Sequence, residues 1–247
     1  MTQPTLAICF SGSLRSIESC YISFIENIYN INKGNFNIVI FYYLPKDVNS
    51  DKIYEIPEIM NLNPIIKILP DTKLEKPNCN WRGRQCKIDE VSNAGLTGWL
   101  YQIQGIEYCY NMVLEYEKEN NIKFDYIARL RTDVLFLQPF NFKDCDDNVL
   151  TVPFFHKWGG INDRFAFGKS NLMDIYMKMY SKLYEYCSNK KINIGNAESF
   201  CEFNLKNNNI KYNENSNILF NRVRATGGIC RDCAIDGRYN RPNMNLI

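Results

Sequence analysis

The chain has 247 residues, 45% of them hydrophobic and 14% aromatic, which is enough apolar material to bury a core in one or two domains. With 29 Lys and Arg against 27 Asp and Glu, the formal charge is only +2, so no basic footprint points to nucleic acid as the partner. The longest apolar run, residues 38–44, falls far short of the roughly 20 residues that span a bilayer.

The opening Met-Thr-Gln-Pro-Thr lacks the basic and apolar regions of a signal peptide, so the expectation is a soluble, cytoplasmic chain with reduced thiols. Residues 6–10 are a short apolar run ending at Ser11-Gly12-Ser13, as in a buried strand that feeds a turn. Leu14, Ile17, Tyr21, Phe24, Ile25 and Ile28 follow at helical spacing. Residues 37–43 predict a second buried strand, 51–60 a weak helix, and 65–69 a strand closed by Pro70. This alternation predicts an α/β fold, with a mostly parallel central sheet flanked by helices. The polar stretch 70–92 reads as an ordered loop or flap. A long helix is expected over 93–119, with Leu96, Trp99, Leu100, Ile103, Tyr110 and Val113 on its buried stripe. Residues 124–137 are strand-like but interrupted near Arg131-Thr132-Asp133. Strands are expected at 149–155 and 164–168, helices over 172–186 and 197–207, and a last strand at 218–224 before an irregular tail, 225–247. No shift in composition marks a boundary, so residues 1–247 read as one domain.

Four segments could carry chemistry. In open parallel sheets, ligands bind beyond the carboxyl ends of the strands, and the loop Ser11-Gly12-Ser13 followed by Arg15 offers backbone amides and a guanidinium to an anion there. A plain helix cap with an exposed Arg is the alternative. Arg129, Arg131 and Asp133 are spaced by two, so a continuous strand would aim all three at one face. Three charges on a buried strand must either pair among themselves or meet a polar ligand. Trp158, Asn162 and Asp163 are typical of a sugar pocket, although the Asn-Asp pair could equally be a turn. Glu198, in the first turn of a helix, is either dipole compensation or a general base. The lone His excludes a His-rich metal site, and Cys230 and Cys233 form a single CxxC, read as unpaired thiols in preference to zinc or a disulfide.

Three stretches carry a family resemblance. Phe10-Ser11-Gly12-Ser13-Leu14-Arg15, Tyr126-Ile127-Ala128-Arg129-Leu130-Arg131-Thr132-Asp133 and Gly160-Ile161-Asn162-Asp163-Arg164-Phe165-Ala166-Phe167-Gly168 resemble motifs of GT-A-type glycosyltransferases found in large DNA viruses and in some algae and bacteria. Trp99, Tyr101 and Gln102 fit a further motif of the same group. The resemblance implies a nucleotide-sugar donor and a glycan or glycoprotein acceptor, in a host cytoplasm or virus factory if the chain is viral. It implies that Ser11, Gly12, Ser13, Arg15, Arg129 and Arg131 hold the nucleotide and its phosphates, and that Asn162, Asp163 and Trp158 hold the sugar. Asp163, or else Glu198, would be the catalytic base. Mn²⁺ or Mg²⁺ would sit at Asp133, although Arg131 stands where the usual Asp-x-Asp has its first carboxylate. A catalytically inactive sugar- or nucleotide-binding protein is the rival expectation. A nucleotidyltransferase ranks below it, because residues 11–15 hold one Gly and one Arg where a Gly-rich basic loop would be needed.

Overall fold

A computed structural model of the chain describes residues 2–70, 73–86, 94–189 and 192–233. The strands are β1 (Thr5–Ser11), β2 (Asn37–Pro45), β3 (Ile65–Leu69), β4 (Cys79–Trp81), β5 (Arg84–Gln85), β6 (Tyr126–Leu130), β7 (Val134–Phe136), β8 (Leu150–Pro153), β9 (Ala166–Lys169), β10 (Ile192–Ile194), β11 (Tyr212–Asn215), β12 (Phe220–Val223) and β13 (Ile229–Cys230). The α-helices are α1 (Ile17–Phe24), α2 (Asn30–Asn32), α3 (Pro57–Met60), α4 (Ala94–Asn120), α5 (Ser170–Met177), α6 (Met179–Asn189) and α7 (Ala197–Asn207).

Seven strands make one sheet in the order β11-β8-β9-β6-β1-β2-β3. The pairings β3-β2, β2-β1, β1-β6 and β8-β11 are parallel, whereas β9 runs antiparallel to both of its neighbours. The expected mostly parallel α/β sheet is therefore present, with one reversed member. Its two faces bury separate cores. Ala7 and Cys9 of β1 and Phe41 of β2 pack with the α4 stripe, Leu96 to Val113. Leu6, Ile8 and Phe10 pack instead with Ile17, Phe24 and Ile28. Period-two alternation on β1 and period-3.6 spacing on α4 thus meet along one seam.

Several boundaries differ from the sequence expectation. The first helix starts at Ile17, not Leu14, and passes through a π-helical turn, Ile25–Tyr29, into α2. The 51–60 helix is a 3₁₀ turn, Ser50–Glu55, followed by α3. Inside the expected loop 70–92, β4 and β5 form a hairpin, while residues 71–72 and 87–93 lie outside the described part. The strand-like run 124–137 is two strands: β6 stays in the large sheet, and β7 leaves it to pair with β12, which in turn pairs with β13. The 172–186 helix is broken at Lys178 into α5 and α6. Edge strands β10 and β11 carry no apolar run long enough to announce them. Of the tail 225–247, residues 234–247 lie outside the described part. All ten cysteines are free thiols, and no helix among the described residues is long and apolar enough to cross a membrane.

Candidate functional site

The strand order turns back at β1: β2 and β3 lie to one side of it, and β6 lies to the other. The loops leaving β1, β2 and β6 splay apart there, opening a crevice at the carboxyl edge of the sheet. A cavity of about 250 Å³ fills it. Ser11, Gly12, Ser13 and Arg15 form one wall, and Arg131, Thr132 and Asp133 another. Tyr43 and Pro45 come from the end of β2, and Tyr101 and Gln102 from α4.

Local chemistry sets these walls. Gly12 has φ +122, a backbone conformation that only glycine adopts without strain, and it turns the chain sharply out of β1. Its amide donates to the Tyr43 carbonyl at 3.3 Å, which ties the β1 and β2 ends together. Thr132 Oγ1 donates to the Ser13 carbonyl at 2.7 Å, joining the β1 loop to the β6 loop. Ser13 Oγ in turn donates to Asp47 Oδ2 at 2.6 Å. Arg15 is exposed at the rim and makes no ion pair among the described residues.

Arg131 and Asp133 face each other. Arg131 Nε donates to Asp133 Oδ1 at 2.7 Å and Nη2 to Oδ2 at 2.8 Å, a fork-to-carboxylate pair. Burial alone would push the Asp133 carboxyl up, but Arg131, with Arg222 and Arg15 adding to it, holds it down at about 2. Burial works against the Arg131 charge as well, and the same pair outweighs it. Two guanidiniums and one carboxylate leave the cavity one net positive charge, which suits an anion. Both Asp133 oxygens accept from Arg131, and among the described residues no group of three His, Cys, Asp or Glu side chains gathers that could hold a metal ion.

Behind this wall lies a second set of charges, reached through Gln102. Its Oε1 accepts from Arg131 Nη1 at 2.9 Å, and its Nε2 donates to Asp163 Oδ2 at 2.8 Å. Asp163 lies 3.7 Å from Arg164 Nη1, and Arg164 Nη2 lies 3.3 Å from Glu198 Oε1. All three charged residues are buried. Burial would raise the Asp163 carboxyl, but Arg164, Arg129 and Arg131 together keep it below the ordinary range. Glu198 goes the other way: burial, reinforced by Asp163, raises it in spite of Arg164. Arg129 is 1% exposed and donates through Nη1 to the Asp163 carbonyl at 2.7 Å, while its Nε and Nη2 find no hydrogen-bond partner among the described residues.

The structure therefore divides the residues singled out from the sequence. It brings Ser11, Gly12, Ser13, Arg15, Arg131 and Asp133 into one cavity. The alternation expected of Arg129, Arg131 and Asp133 ends early, because β6 stops at Leu130 and Asp133 sits in the following turn. Arg129 is sealed behind the wall. Asn162 is fully buried; its Nδ2 donates to the Phe155 carbonyl and its Oδ1 accepts from the Arg164 amide, so it pins a turn. Trp158 is half exposed away from the cavity lining, with Nε1 donating to His156 Nδ1. Glu198 lies beneath the 156–160 loop, and the Ile161 amide donates to its carbonyl. Arg222, on β12, forks onto Asp232, which also lies 3.0 Å from His156 Nε2.

Tyr43, Pro45 and Gln102 were not assigned roles from the sequence. The rule that pointed to Ser11, a strand's carboxyl end in an open sheet, also covers Tyr43 and Pro45. Gln102 was marked only by the motif it shares with Trp99 and Tyr101, which assigned it no role. No curated protein matches the chain. Residues 1–222 match the family described as "Domain of unknown function (DUF7796)", and the chain belongs to that family.

Proposed function

We propose that the chain is a nucleotide-sugar-dependent glycosyltransferase built on a GT-A-like domain. One observation carries this reading. Two motifs over a hundred residues apart, Ser11 to Arg15 and Arg131 to Asp133, converge on one cavity at the turning point of a mostly parallel sheet. That is where such sheets hold nucleotides. The net positive wall would face the diphosphate, and Tyr43 and Tyr101, which line the same cavity, would meet a base or sugar. In the reaction the bond from the anomeric carbon to the phosphate oxygen breaks, and the nucleoside diphosphate leaves with the electron pair. An acceptor hydroxyl forms the new bond and gives up its proton to an oxygen of the departing diphosphate or to solvent. Arg15 and Arg131 would stabilise the charge gathering on the leaving group. Mn²⁺ or Mg²⁺ would first have to displace Arg131 from Asp133, so the reading places leaving-group stabilisation on the guanidiniums.

A second reading, a sugar- or nucleotide-binding protein without catalysis, is favoured by the burial of Asp163 and Glu198, the two candidate bases. Incubation with UDP-, GDP- and dTDP-sugars separates the two. Slow release of the nucleoside diphosphate from one donor is expected of the transferase. Binding without release would leave only the second reading, and binding of none would remove both.

A further inference from the structure

Beside α4, apart from the crevice, three of the ten cysteines gather. Cys79 opens β4 and Cys86 follows β5. Asn80 pairs with Gln85 and Trp81 with Arg84, so the register sets Cys79 directly across from Cys86. The Cys86 amide donates to the Cys79 carbonyl at 3.0 Å. The turn between them holds Arg82 at φ 51 and Gly83 at φ 76, the double left-handed pair that a two-residue hairpin needs, and this fixes the register. Residues opposed in this way have Cα atoms about 5.5 Å apart, within the roughly 4.4–6.8 Å that a disulfide spans. Cys187, from α6, brings a third thiol against Cys79. All three are buried in one core cluster.

We propose that Cys79 and Cys86 form an oxidisable thiol pair that closes into a disulfide when the protein meets a hydroperoxide. The Cys86 thiolate attacks one peroxide oxygen, the O–O bond breaks, and the departing oxygen takes a proton, leaving Cys86 as a sulfenic acid. The Cys79 sulfur then attacks the Cys86 sulfur, the S–O bond breaks, and the hydroxide leaves as water with the Cys79 proton. Two thiols are oxidised, and the peroxide is reduced to water and an alcohol, or to two waters. The Cys79 thiol, hydrogen-bonded to Cys86, holds the Cys86 thiol below its ordinary range against the opposing effect of burial, with the charge of Lys76 helping. The bridge would also bear on the crevice. Trp81 of the hairpin stacks on Trp99 of α4 at 5.0 Å between ring centroids, and Tyr101 and Gln102, two and three residues further along α4, line the cavity wall. This inference stands whether or not the chain transfers sugars.

The test uses the full chain treated with hydrogen peroxide, followed by alkylation and peptide mapping. The expected product has lost two hydrogens, carries a Cys79–Cys86 cross-link, and is cut more slowly by trypsin at Arg82 and Arg84. Cys79→Ser abolishes all three changes, while Cys187→Ser keeps them. A first disulfide elsewhere, such as Cys230–Cys233, would overturn the proposal. So would a folded protein whose Cys79 and Cys86 stay reduced under peroxide that cross-links the urea-unfolded chain.

Discussion

Two charge-bearing segments lie against opposite sides of Gln102 and have different fates. Arg131 and Asp133 pair at the wall of a cavity, where a ligand could compete for either partner. Asp163, Arg164 and Glu198 form a chain of buried ion pairs without reaching that cavity. Both segments hold Arg beside carboxylate, so residue type does not separate them. What separates them is where the chain stops being a strand. The first segment follows the carboxyl end of β6 and projects into the crevice. The second precedes β9, the one reversed strand of the sheet, and is overlaid by α7 and the 156–160 loop.

Breaking each side separately sharpens the contrast. Asp133→Ala leaves the Arg131 guanidinium without its carboxylate in a largely buried setting, so a loss of about 4 kcal/mol is expected in urea denaturation. The fork between the two side chains makes this a stability change as well as a change to the cavity wall. An undiminished midpoint would mean that the pair is open in solution. On the sealed side, a Cβ at Gly160 would sit 2.1 Å from the Glu198 carbonyl oxygen, a clash of backbone with side chain that no rotamer relieves. Gly160→Ala is therefore expected to cost about 3 kcal/mol. A melting temperature equal to that of the wild type would show that the loop does not press on α7.

Acid titration distinguishes the two carboxyls by sign. Asp133 is held near 2 in the fold, below its unfolded value of about 3.9, so its stabilisation is complete above the unfolded value and is lost as pH falls toward 2. The loss should be about 2.5 kcal/mol, read as the difference between wild type and Asp133→Asn over that window. Glu198 is raised, so its contribution is present below its unfolded value and disappears as pH climbs through its folded one. Glu198→Gln should then flatten a stability slope of the opposite sign; two slopes of the same sign would contradict the division. Gln102 joins the halves, and Gln102→Leu removes one partner each from Arg131 and Asp163. It should cost about 2 kcal/mol, and a double cycle with Asp133→Asn should reveal coupling. Strict additivity would show that the relay carries nothing.

Much of the fold was legible because period and punctuation agreed. The apolar run before Ser11-Gly12 is a buried strand, and the stripe from Leu96 to Val113 is the face that α4 buries. The cavity wall was legible for the same reason, as loops at strand ends are where side chains escape the core. What stayed hidden depends on long-range pairing. Nothing local announces that β9 runs backwards, that β7 deserts the large sheet, or that β11 extends its edge. Nor does the Asn162-Asp163-Arg164 triplet disclose that Asn162 has both of its polar atoms engaged by neighbouring backbone. Aromatic and amide residues look alike in a sugar pocket and in a pinned turn until the partners are known.

The most direct test of the central claim, that the crevice holds a nucleoside diphosphate through its guanidiniums, is a titration with UDP, GDP and dTDP, monitored by thermal unfolding in EDTA and repeated with Arg15→Gln. Arg15 is exposed, so the variant should fold with unchanged stability yet bind about tenfold more weakly. One nucleotide, at about 100 times its dissociation constant, is predicted to stabilise the wild type by roughly 2.7 kcal/mol without added metal. No stabilisation by any of the three, or an equal shift in wild type and Arg15→Gln, would contradict the account.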